Sequence, residues 1–575
     1  MQFNQELNKL ASILLAKSII DIYPSGILGE SSLTEDGFHY SFLLDTPISI
    51  KELPKVLKQM RKNIDRGYKL TYESISYAKA KELFAKQKYK LEQIQGLDKV
   101  AIVKFGYDFI DICEELKIEK LSQIKVIDLS NVAGVYWKGN SKNQQLSSIN
   151  GIAFENQINM DEFKQELNER KERDHRRLGN DLELFAFDLL AGQGLPIWLP
   201  KGSAIKYEID AYIHNLLQRN GYKFVNSPVL GSKMLYETSG HWSHYRANMF
   251  PAIDVDGDIH VLRPMTCPHH LLVYQQKPRS YRELPFRIAE HAILHRYESS
   301  GSLTGLERVR SMQLIDTHII CAENQIKDVV SRCYKIINEA SSTFGVKIHS
   351  VDLALHDKND TTDKFFKGEE MWVNAENSLR KVLDELKIDF KEEVGEAAFY
   401  GPKIDLQVKT ALGRVITAYT VQLDFLLPQK FDLQYKDKNG QIQRPVLVHA
   451  SVIGTLERFV SILLEQNKGV FPLWLSPVQV AIIPVDPLKH GIYCEKLTLA
   501  LEQKLIRVEF DNSDERLGKK IRDAQVQKIP YQLVIGDNEI KNNSVSYRMY
   551  GKQDSHEVSF KEFESMLEQQ ISSKE

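Results

Sequence analysis

The segment FRIAEHAILHRYESSGSLTGLERVR, residues 286–310, places charged residues on both sides of a Gly/Ser loop. Arg296 and Glu298 precede the loop, and Arg308 follows it on an alternating, strand-like stretch. Such a hairpin can hold a triphosphate, because guanidinium groups bind phosphate oxygens through paired hydrogen bonds. Arg458, at the start of a predicted helix, can supply another cation. Taken one at a time, these arginines are more often surface salt-bridge partners.

A cysteine and two histidines stand on three other apolar or strand-like stretches. They are Cys267 in RPMTCPHH, His318 in IDTHII and His449 in VLVHAS. One thiolate and two imidazoles suit zinc with an open fourth position, which is typical of a catalytic site rather than a structural one. The three residues are far apart in sequence, so spacing alone favours a plainer interpretation, a buried cysteine and two hydrogen-bonded core histidines.

The composition bounds the class of protein. A chain of 575 residues exceeds what one hydrophobic core supports, which predicts about three or four domains. The formal net charge of -2 gives no argument for nucleic-acid binding from overall charge, so any RNA contact requires local basic patches. The sequence contains no GxxxxGK[ST] loop, which excludes the Walker type of phosphate cradle.

Cysteine usage and the N-terminus predict a soluble, cytoplasmic protein. The five cysteines are scattered without a CxxC pair, and the chain starts without a secretory signal pattern. The first apolar stretch is interrupted by Lys9, Lys17 and Asp21, so it falls short of the roughly 20 apolar residues of a membrane span. Its helical spacing predicts an amphipathic surface helix.

Four parts follow from the pattern along the chain. Residues 1–160 alternate short apolar runs with helical patterns, as in an α+β module, and residues 161–195 form a charged connecting helix with a solvated basic run, KERDHRR. Residues 196–474 mix strands with long loops. Residues 475–575 alternate strands and helices, which predicts parallel βαβ units in a small mixed sheet.

These segments together resemble the three motifs of class II aminoacyl-tRNA synthetases. GYKFVNSPVL resembles the first motif, which lies at the dimer interface in that class; residues 286–310 resemble the second, and VIGTLERF the third. TSGHWSHY, RPMTCPHH, AAFYGPKID, TVQLDF and HASVIGTLERF are similar specifically to threonyl-tRNA synthetases. The resemblance implies a catalytic core built on an antiparallel sheet, joined to an α/β anticodon-binding domain. It also implies ligation of L-threonine to tRNA(Thr) through a threonyl-adenylate, with ATP, Mg²⁺ and one Zn²⁺ per subunit, in a homodimer.

The resemblance also assigns roles to residues. Cys267, His318 and His449 match the zinc ligands, which favours the metal over the plainer interpretation. At the ATP site, the following positions match: Arg296 at the α-phosphate and the substrate carboxylate, Glu298 at the adenine, Arg308 and Arg458 at the γ-phosphate.

In the amino-acid pocket, Asp316 matches the acceptor of the threonine hydroxyl, and Met265, Tyr400 and Lys403 match lining residues. Gln422 matches a residue beside the reacting groups. His241 matches the residue that faces the terminal ribose, where we expect a proton acceptor. Glu539 and Arg548 match positions that contact anticodon bases, although each taken alone is more often a plain surface charge.

The N-terminal part resembles the family's editing domain in TEDGFHYSF, FIDIC and GVYWKGN, but it departs from the editing motifs. Lys9 and Ile13 stand where the family has the two histidines of HxxxH. Cys113 remains from the second motif, CxxxH, and Lys117 replaces its histidine, while Asp111 is retained. We therefore predict a domain that keeps its shape and has lost the hydrolysis of seryl-tRNA.

The synthetic pocket departs from the family pattern too. Five positions differ from the family: Met312 replaces an aromatic residue, Leu314 a Gln, Ile315 an Asp, Thr417 a Gln and Tyr419 a Gly. These changes leave open a catalytically altered paralogue that activates an amino acid without charging RNA, and an RNA-binding regulator without catalysis. The full set of zinc ligands and arginines favours an active enzyme.

Overall fold

The chain divides into two units, Met1–Arg170 and Lys171–Glu575. The structure is a computed structural model, and it describes residues 4–34, 36–118, 120–140, 142–361 and 364–574. The boundary between the units lies ten residues beyond the predicted end of the N-terminal module, inside the helix Gln157–Arg173.

The first unit combines helices with two antiparallel sheets, in the strand orders β1-β2-β7-β6 and β3-β4-β5. The elements are α1 Gln5–Ile22, β1 Ile27–Thr34, β2 Gly37–Leu43, α2 Leu53–Asp65, β3 Leu70–Ser76, α3 Tyr77–Leu83, α4 Lys88–Gln93, β4 Lys99–Phe105, β5 Phe109–Ile112, β6 Val126–Tyr136, β7 Gln145–Phe154 and α5 Gln157–Arg173. This confirms the predicted α+β class.

Helix α1 is the central helix of this unit, and the prediction of a surface helix is wrong. Every residue from Leu7 to Ile19 except Lys9 is buried, because α1 packs against α2 on one side and the first sheet on the other. Its polar residues have internal partners. Asn8 exchanges hydrogen bonds of 2.9 and 3.0 Å with the backbone of Ala153, and Lys17 pairs with Asp21. Buried polar groups are stable only when satisfied in this way.

The charged connecting segment is two helices rather than one. Helix α5 ends at Arg173, and α6 begins after Asp174, whose carboxylate caps the Arg176 N–H at 2.8 Å. The backbone leaves the helical conformation at Asp174, with ψ of 113°, and the side chain of His175 that follows is only 2% exposed. The prediction of a solvated KERDHRR face is therefore wrong at His175.

The second unit is organised around an eight-stranded sheet in the order β10-β14-β15-β22-β19-β18-β16-β17. Its strands are antiparallel except for the edge pairs β10–β14 and β16–β17, which confirms the predicted core. The elements are α6 His175–Asp181, β8 Phe185–Ala186, β9 Ile197–Trp198, α7 Pro200–Arg219, β10 Lys223–Phe224, β11 Leu230–Ser232, α8 Lys233–Ser239, α9 His241–His244, β12 Ile253–Val255, β13 Asp258–Leu262, α10 Cys267–Gln275, β14 Phe286–His295, β15 Ser311–Cys321, α11 Ile326–Thr343, β16 Ile348–Leu355, α12 Glu369–Glu385, β17 Lys391–Val394, β18 Lys403–Lys409, β19 Val415–Asp424, α13 Leu426–Lys430, β20 Tyr435–Lys436, β21 Ile442–Gln443, β22 Val446–Thr455 and α14 Leu456–Asn467.

The C-terminal part of this unit is an α/β sheet in the order β24-β23-β25-β26-β27. The first three strands are parallel to one another, and the last two are antiparallel to their neighbours. This confirms the predicted mixed sheet. The elements are β23 Val480–Pro484, α15 Pro487–Glu502, β24 Val508–Phe510, α16 Leu517–Val526, β25 Tyr531–Ile535, α17 Asp537–Asn542, β26 Ser544–Met549, β27 Ser555–Ser559 and α18 Phe560–Ser573. Among the residues that the structure describes, none of the helices combines the length and apolarity that a bilayer span requires.

Candidate active site and metal centre

The register of the large sheet aligns four of the predicted site residues in one row. His318 on β15 is opposite His449 on β22, His449 is opposite Gln422 on β19, and Gln422 is opposite Lys403 on β18. Directly paired residues of antiparallel strands project from the same face of a sheet. Four side chains that are far apart in sequence therefore meet on one face.

This row forms part of the floor of a cleft of about 460 Å³. Nine of the predicted residues line the cleft: Met265, Cys267, Arg296, Asp316, His318, Tyr400, Lys403, Gln422 and His449. Cys267 enters from the first turn of α10, and Asp316 lies two residues before His318 on β15. The fold thus brings together residues from six separate segments of the chain.

The donor atoms of Cys267, His318 and His449 lie within 4.8 Å of one another, and all three side chains are buried. Nε2 of His318 is 2.9 Å from Nδ1 of His449. Two nitrogens bound to one tetrahedral zinc at about 2.0–2.1 Å are roughly 3.3 Å apart, so the spacing fits a shared ion.

Two buried carboxylates determine which ring nitrogen of His318 and of His449 faces the place where the shared ion would bind. Oδ2 of Asp424 is 3.0 Å from Nε2 of His449. Oε2 of Glu290 is 3.0 Å from Nε2 of His270, and Nδ1 of His270 is 2.8 Å from Nδ1 of His318. Because carboxylates only accept hydrogen bonds, we infer that Nε2 of His449 and Nε2 of His270 carry protons. Nδ1 of His270 then accepts from Nδ1 of His318. The protonated nitrogens of the two ligands, Nε2 of His449 and Nδ1 of His318, are called the outer nitrogens, and the other two the inner nitrogens.

The inner nitrogens of His318 and His449 then present their lone pairs to each other. Two acceptors at 2.9 Å repel, and a cation bound by both removes the repulsion. Burial, together with the neighbouring histidines His449 and His270, holds the pKa of His318 well below its usual range. Burial and the carboxylates Asp316 and Asp424 raise the pKa of the Cys267 thiol. A buried thiol among carboxylates, beside two lone pairs, is a donor set that fits zinc.

Glu290 is equipped to remain a charged acceptor. Burial alone would raise its pKa, but hydrogen bonds from His270, Ser227 and Arg263 outweigh burial and bring the pKa to about 2. The distances are 3.0, 2.6 and 2.8 Å, respectively. The sequence analysis missed Glu290, His270 and Asp424, although all three stand inside quoted motifs: Glu290 in residues 286–310, His270 in RPMTCPHH and Asp424 in TVQLDF.

We expect Asp424→Asn to weaken zinc binding about 10–100-fold, as is usual for partners of metal-bound histidines. Oδ1 of Asp424 already accepts the N–H groups of Leu426 and Leu427, at 2.8 and 2.9 Å. The asparagine amide would therefore turn its NH₂ toward His449, and the His449 proton would move to the inner nitrogen.

Competition with a chelator of known affinity measures this effect. Glu376→Gln is the matched control, because Glu376 pairs with His356 in the same way, at 2.6 Å, without the cysteine and second histidine. Equal zinc affinity in wild type and Asp424→Asn would show that Asp424 does not support zinc binding.

The arginine hairpin borders the same cleft. Strands β14 and β15 pair from Phe286 to His295, and the loop between them carries three of the four predicted ATP residues, Arg296, Glu298 and Arg308. Nε of Arg308 donates to Glu298 at 2.8 Å. Burial and the neighbouring Arg296 lower the pKa of Arg458, and Arg308 acts in the same direction. Arg296 lines the cleft, and the repulsion between Arg458 and its neighbours Arg296 and Arg308 favours an anionic ligand among them.

Comparisons with known proteins agree with this geometry. The family model for the tRNA synthetase class II core domain (G, H, P, S and T) matches residues 250–467, and the one for the anticodon binding domain matches residues 479–570. The threonine–tRNA ligase of Ureaplasma parvum serovar 3 is 48% identical over 575 residues, with 99% of both chains covered. The chain belongs to the threonyl-tRNA synthetase family.

Further relatives of this family extend the similarity. Threonine–tRNA ligase 1 of Bacillus subtilis is 45% identical over 97% of this chain and 87% of the relative. The crystal structure titled as the RNA binding domain of threonyl-tRNA synthetase from Cryptosporidium parvum superposes with a TM-score of 0.66, at 35% identity, and covers 69% of this chain and 98% of that one.

The remaining pocket residues of this threonyl-tRNA synthetase family member contact one another. The Tyr400 hydroxyl donates to Gln422 at 3.0 Å, and its ring stacks on His449 with centroids 5.1 Å apart. Lys403 pairs with Asp405, and the Thr266 hydroxyl donates to Asp316.

His241 lies beside the cleft rather than in its lining. It is fully buried, with Nδ1 2.8 Å from the Ser239 hydroxyl and Nε2 3.7 Å from Sγ of Cys267. Burial lowers its pKa to about 3, with a contribution from His449. The ring is therefore neutral at neutral pH, and a base of such low pKa is weak.

The departures from the family pattern occupy different places. Leu314 lines the cleft. Met312 is buried in a small cluster behind it, and Ile315 is buried in the main core. Tyr419 is also buried in the main core and donates to the Val346 carbonyl at 3.2 Å, and Thr417 bonds Gln407 at 3.1 Å. Of the five replacements, Leu314 is the one positioned to touch a ligand.

The predicted editing residues of the first unit have structural partners. Lys90 and the Tyr40 hydroxyl both contact the buried Asp111, at 2.6 Å each. Burial raises the pKa of Cys113 to about 11, so it remains a thiol. The side chain of Ile13 is 1% exposed, Lys9 is half-buried, and the exposed Lys117 donates its backbone N–H to Glu6 at 2.8 Å.

The two predicted anticodon residues lie near each other in the C-terminal sheet region. Glu539 caps α17 by accepting the Gly536 N–H at 2.9 Å and accepts the Ser546 hydroxyl at 2.6 Å. Arg548 is half-buried two residues beyond Ser546 on β26, on the same face of the strand. Glu539 thus has an evident structural role besides any contact with RNA.

Proposed function

We propose that the protein activates L-threonine with ATP and Mg²⁺ and transfers the threonyl group to tRNA(Thr). The observation that carries this proposal is the convergence of Cys267, His318 and His449, with the two histidine nitrogens 2.9 Å apart, in a cleft that Arg296 also lines. A pure RNA-binding regulator has no use for such a centre.

The pocket residues explain the choice of amino acid. Cys267, His318 and His449 would hold zinc, which would act as a Lewis acid toward the amino nitrogen and the hydroxyl of threonine. Asp316 accepts the hydroxyl proton of the substrate in this proposal, because its carboxylate already accepts from the Thr266 hydroxyl at the cleft. The packed rings of Tyr400 and His449 limit the length of the side chain that fits.

The arginines explain the activation step. The threonine carboxylate attacks the α-phosphorus of ATP in line, and pyrophosphate with its Mg²⁺ leaves. Arg296 neutralises charge at the α-phosphate, and Arg308 and Arg458 bind the departing end. Positioning and electrostatics dominate such a step, with little covalent work by the protein.

Transfer to RNA then requires the loss of a proton from the terminal ribose hydroxyl. The family resemblance makes neutral His241 the candidate acceptor, although it is a weak base and its ring must become exposed to reach the ribose. Gln422, which the Tyr400 hydroxyl holds, lies beside the reacting carbonyl in this proposal. Lys403 provides positive charge on the neighbouring strand. Glu539 and Arg548 are assigned to the anticodon bases, which unpaired loops expose to edge hydrogen bonds.

Two assays test this function. Threonine-dependent exchange of pyrophosphate into ATP reports activation, and charging of tRNA(Thr) reports transfer. Activity in both assays is expected. Exchange without charging would indicate the paralogue that never charges RNA, and inactivity in both with intact RNA binding would indicate the regulator.

We further propose a homodimer through the first motif, GYKFVNSPVL. Its strand β10 is a parallel edge strand of the large sheet, and an exposed edge strand pairs readily with a second chain. Light scattering of the purified protein is expected to give twice the chain mass of 66.1 kDa, and a monomer at micromolar concentration would contradict the proposal.

Seryl-tRNA is expected to survive at its spontaneous rate in the presence of the protein. Lys9, Ile13 and Lys117 replace the histidines that activate water in active editing domains, and Asp111 is neutralised by Lys90. Deacylation of labelled seryl-tRNA measures the rate, and Asp111→Asn is the control for residual chemistry. Deacylation several-fold above the spontaneous rate, lost in Asp111→Asn, would show that editing persists.

A further inference from the structure

The tip of the arginine hairpin is held by a histidine from outside it. Nε2 of His175 lies 3.1 Å from the backbone nitrogen of Leu306, and Nδ1 lies 2.7 Å from Oε1 of Glu465 on α14. A carboxylate only accepts, so the His175 proton lies on Nδ1, and Nε2 accepts the Leu306 N–H. All three residues belong to the second unit, and all are buried.

This cluster is not a metal site, although the donor atoms of His175, Glu307 and Glu465 lie within 4.8 Å of one another. Both ring nitrogens of His175 are occupied by the contacts described. Arg414 pairs with both carboxylate oxygens of Glu307, so a cation already fills that position. The arrangement fits a contact that holds the loop in place better than a set of metal ligands. We call the contacts of His175 with Leu306 and Glu465 the latch.

The loop backbone is shaped to receive His175. Gly305 has φ of +47°, a conformation that favours glycine, and a Cβ built on it would lie 2.2 Å from Nε2 of His175. The absence of a side chain therefore lets the loop approach the ring closely enough for the Leu306 N–H to reach it.

The held turn is next to the predicted phosphate-binding residues. The carbonyl of Glu307 accepts from Nε of Arg458 at 3.2 Å, and Arg308 is the following residue. Fixing residues 305–307 therefore fixes the backbone that carries Arg308 and the carbonyl that orients Arg458.

We propose that His175, oriented by Glu465, is a positioning residue of the ATP site that locks the turn 305–307. The inference rests on the proposed function, since it assumes that Arg308 and Arg458 bind the phosphates. Losing the acceptor leaves a buried N–H unsatisfied whenever the loop is closed, which favours open conformations of the loop.

Titration calorimetry with Mg-ATP alone tests the proposal, because it requires neither threonine nor RNA. His175→Ala is expected to raise the Kd for ATP about tenfold, the usual cost of an unsatisfied buried donor. His175→Gln, whose carbonyl can replace Nε2 as the acceptor, is expected to restore most of the affinity. In the exchange assay, KM for ATP should rise while KM for threonine stays within about twofold.

His490→Ala is the matched control. His490 is 3% exposed, accepts the Asp486 N–H at 3.0 Å and faces Asp537 at 3.2 Å, the same chemistry in the C-terminal α/β part. Its loss should lower stability without changing ATP affinity. Gly305→Ala should weaken ATP binding in wild type. In the His175→Ala background it should weaken binding less, because the clash with the ring is gone, while the strain of the positive φ and the close approach to Cγ of Arg176 at 2.8 Å remain.

An unchanged Kd for ATP in His175→Ala would overturn the latch. So would equal weakening in His175→Gln and His175→Ala, since the ring would then act only through packing. Wild-type protein that binds ATP and fails to exchange pyrophosphate with threonine would overturn the proposed function and leave the latch measurable by calorimetry.

Discussion

Cys267→Ala is expected to release the bound zinc and to lower threonine-dependent pyrophosphate exchange about 10³-fold. The factor corresponds to roughly 4 kcal/mol, the scale on which a metal stabilises charge at a reacting group. The two inner nitrogens of His318 and His449 hold an ion less tightly without the thiolate, and their mutual repulsion returns when the ion leaves. Metal content by atomic emission, measured with the exchange rate, checks both parts.

Cys494→Ala is the matched control for this substitution. Cys494 is also fully buried, and it packs in the C-terminal core, so its loss creates a comparable cavity away from the cleft. It should keep one zinc per chain and near wild-type exchange. Full exchange activity in metal-stripped wild type, or a full zinc complement in Cys267→Ala, would refute the metal centre.

Local patterns in the sequence were sufficient for much of the fold. Strands β14 and β15 follow each other in sequence and pair, so the Gly/Ser loop between them indicates a hairpin directly. The second strand begins at Ser311, and Arg308 lies in the loop rather than on the predicted strand-like stretch. The C-terminal βαβ units are local in the same sense. The helical spacing of Gln5–Ile22 was also visible, whereas its burial was not, because the backbone that satisfies Asn8 belongs to Ala153 on β7, far away in sequence.

The site required information that spacing does not contain. The convergence of His318, His449 and Gln422 depends on the register of three strands, and strand order is set by the whole sheet. The resemblance to a family supplied these ligands without the geometry. It did not supply Glu290 or Asp424, which act through other residues and carry no spacing of their own.

His175 illustrates a different limit of sequence patterns. Its neighbours Arg176 and Arg177 are exposed, so the run has the composition of a solvated helix face. Only the break at Asp174 turns the histidine inward. An Asp before a short helical run is a typical N-cap, and this was the one local indication that the charged helix is interrupted.

Threonine is expected to exceed valine in kcat/KM for exchange by at least about 10⁴. The two side chains have nearly the same shape, so packing against Tyr400 and His449 cannot separate them. Valine would leave Asp316 without the hydroxyl that it is proposed to accept, and a site built around a hydroxyl rejects the analogue that lacks it by about this factor. Serine keeps the hydroxyl and loses one methyl, so it should be rejected only about 10–200-fold.

Asp316→Ala separates the carboxylate from the rest of the pocket. It should lower the threonine-to-valine ratio about 10–100-fold, because a hydrogen bond to a charged group contributes roughly 1.5–3 kcal/mol. Asp352→Ala is the control, a half-buried carboxylate on β16 that accepts a hydrogen bond from Gln407 at 2.7 Å and is not a lining residue of the cleft. Valine activated within about 100-fold of threonine by wild type would mean that this cleft does not recognise a hydroxyl. The serine ratio then bears on the proposed loss of editing. If seryl-tRNA survives in the presence of the protein as expected, a pocket that admits serine at one part in about 10–200 would require that mischarged tRNA be cleared by another protein or tolerated.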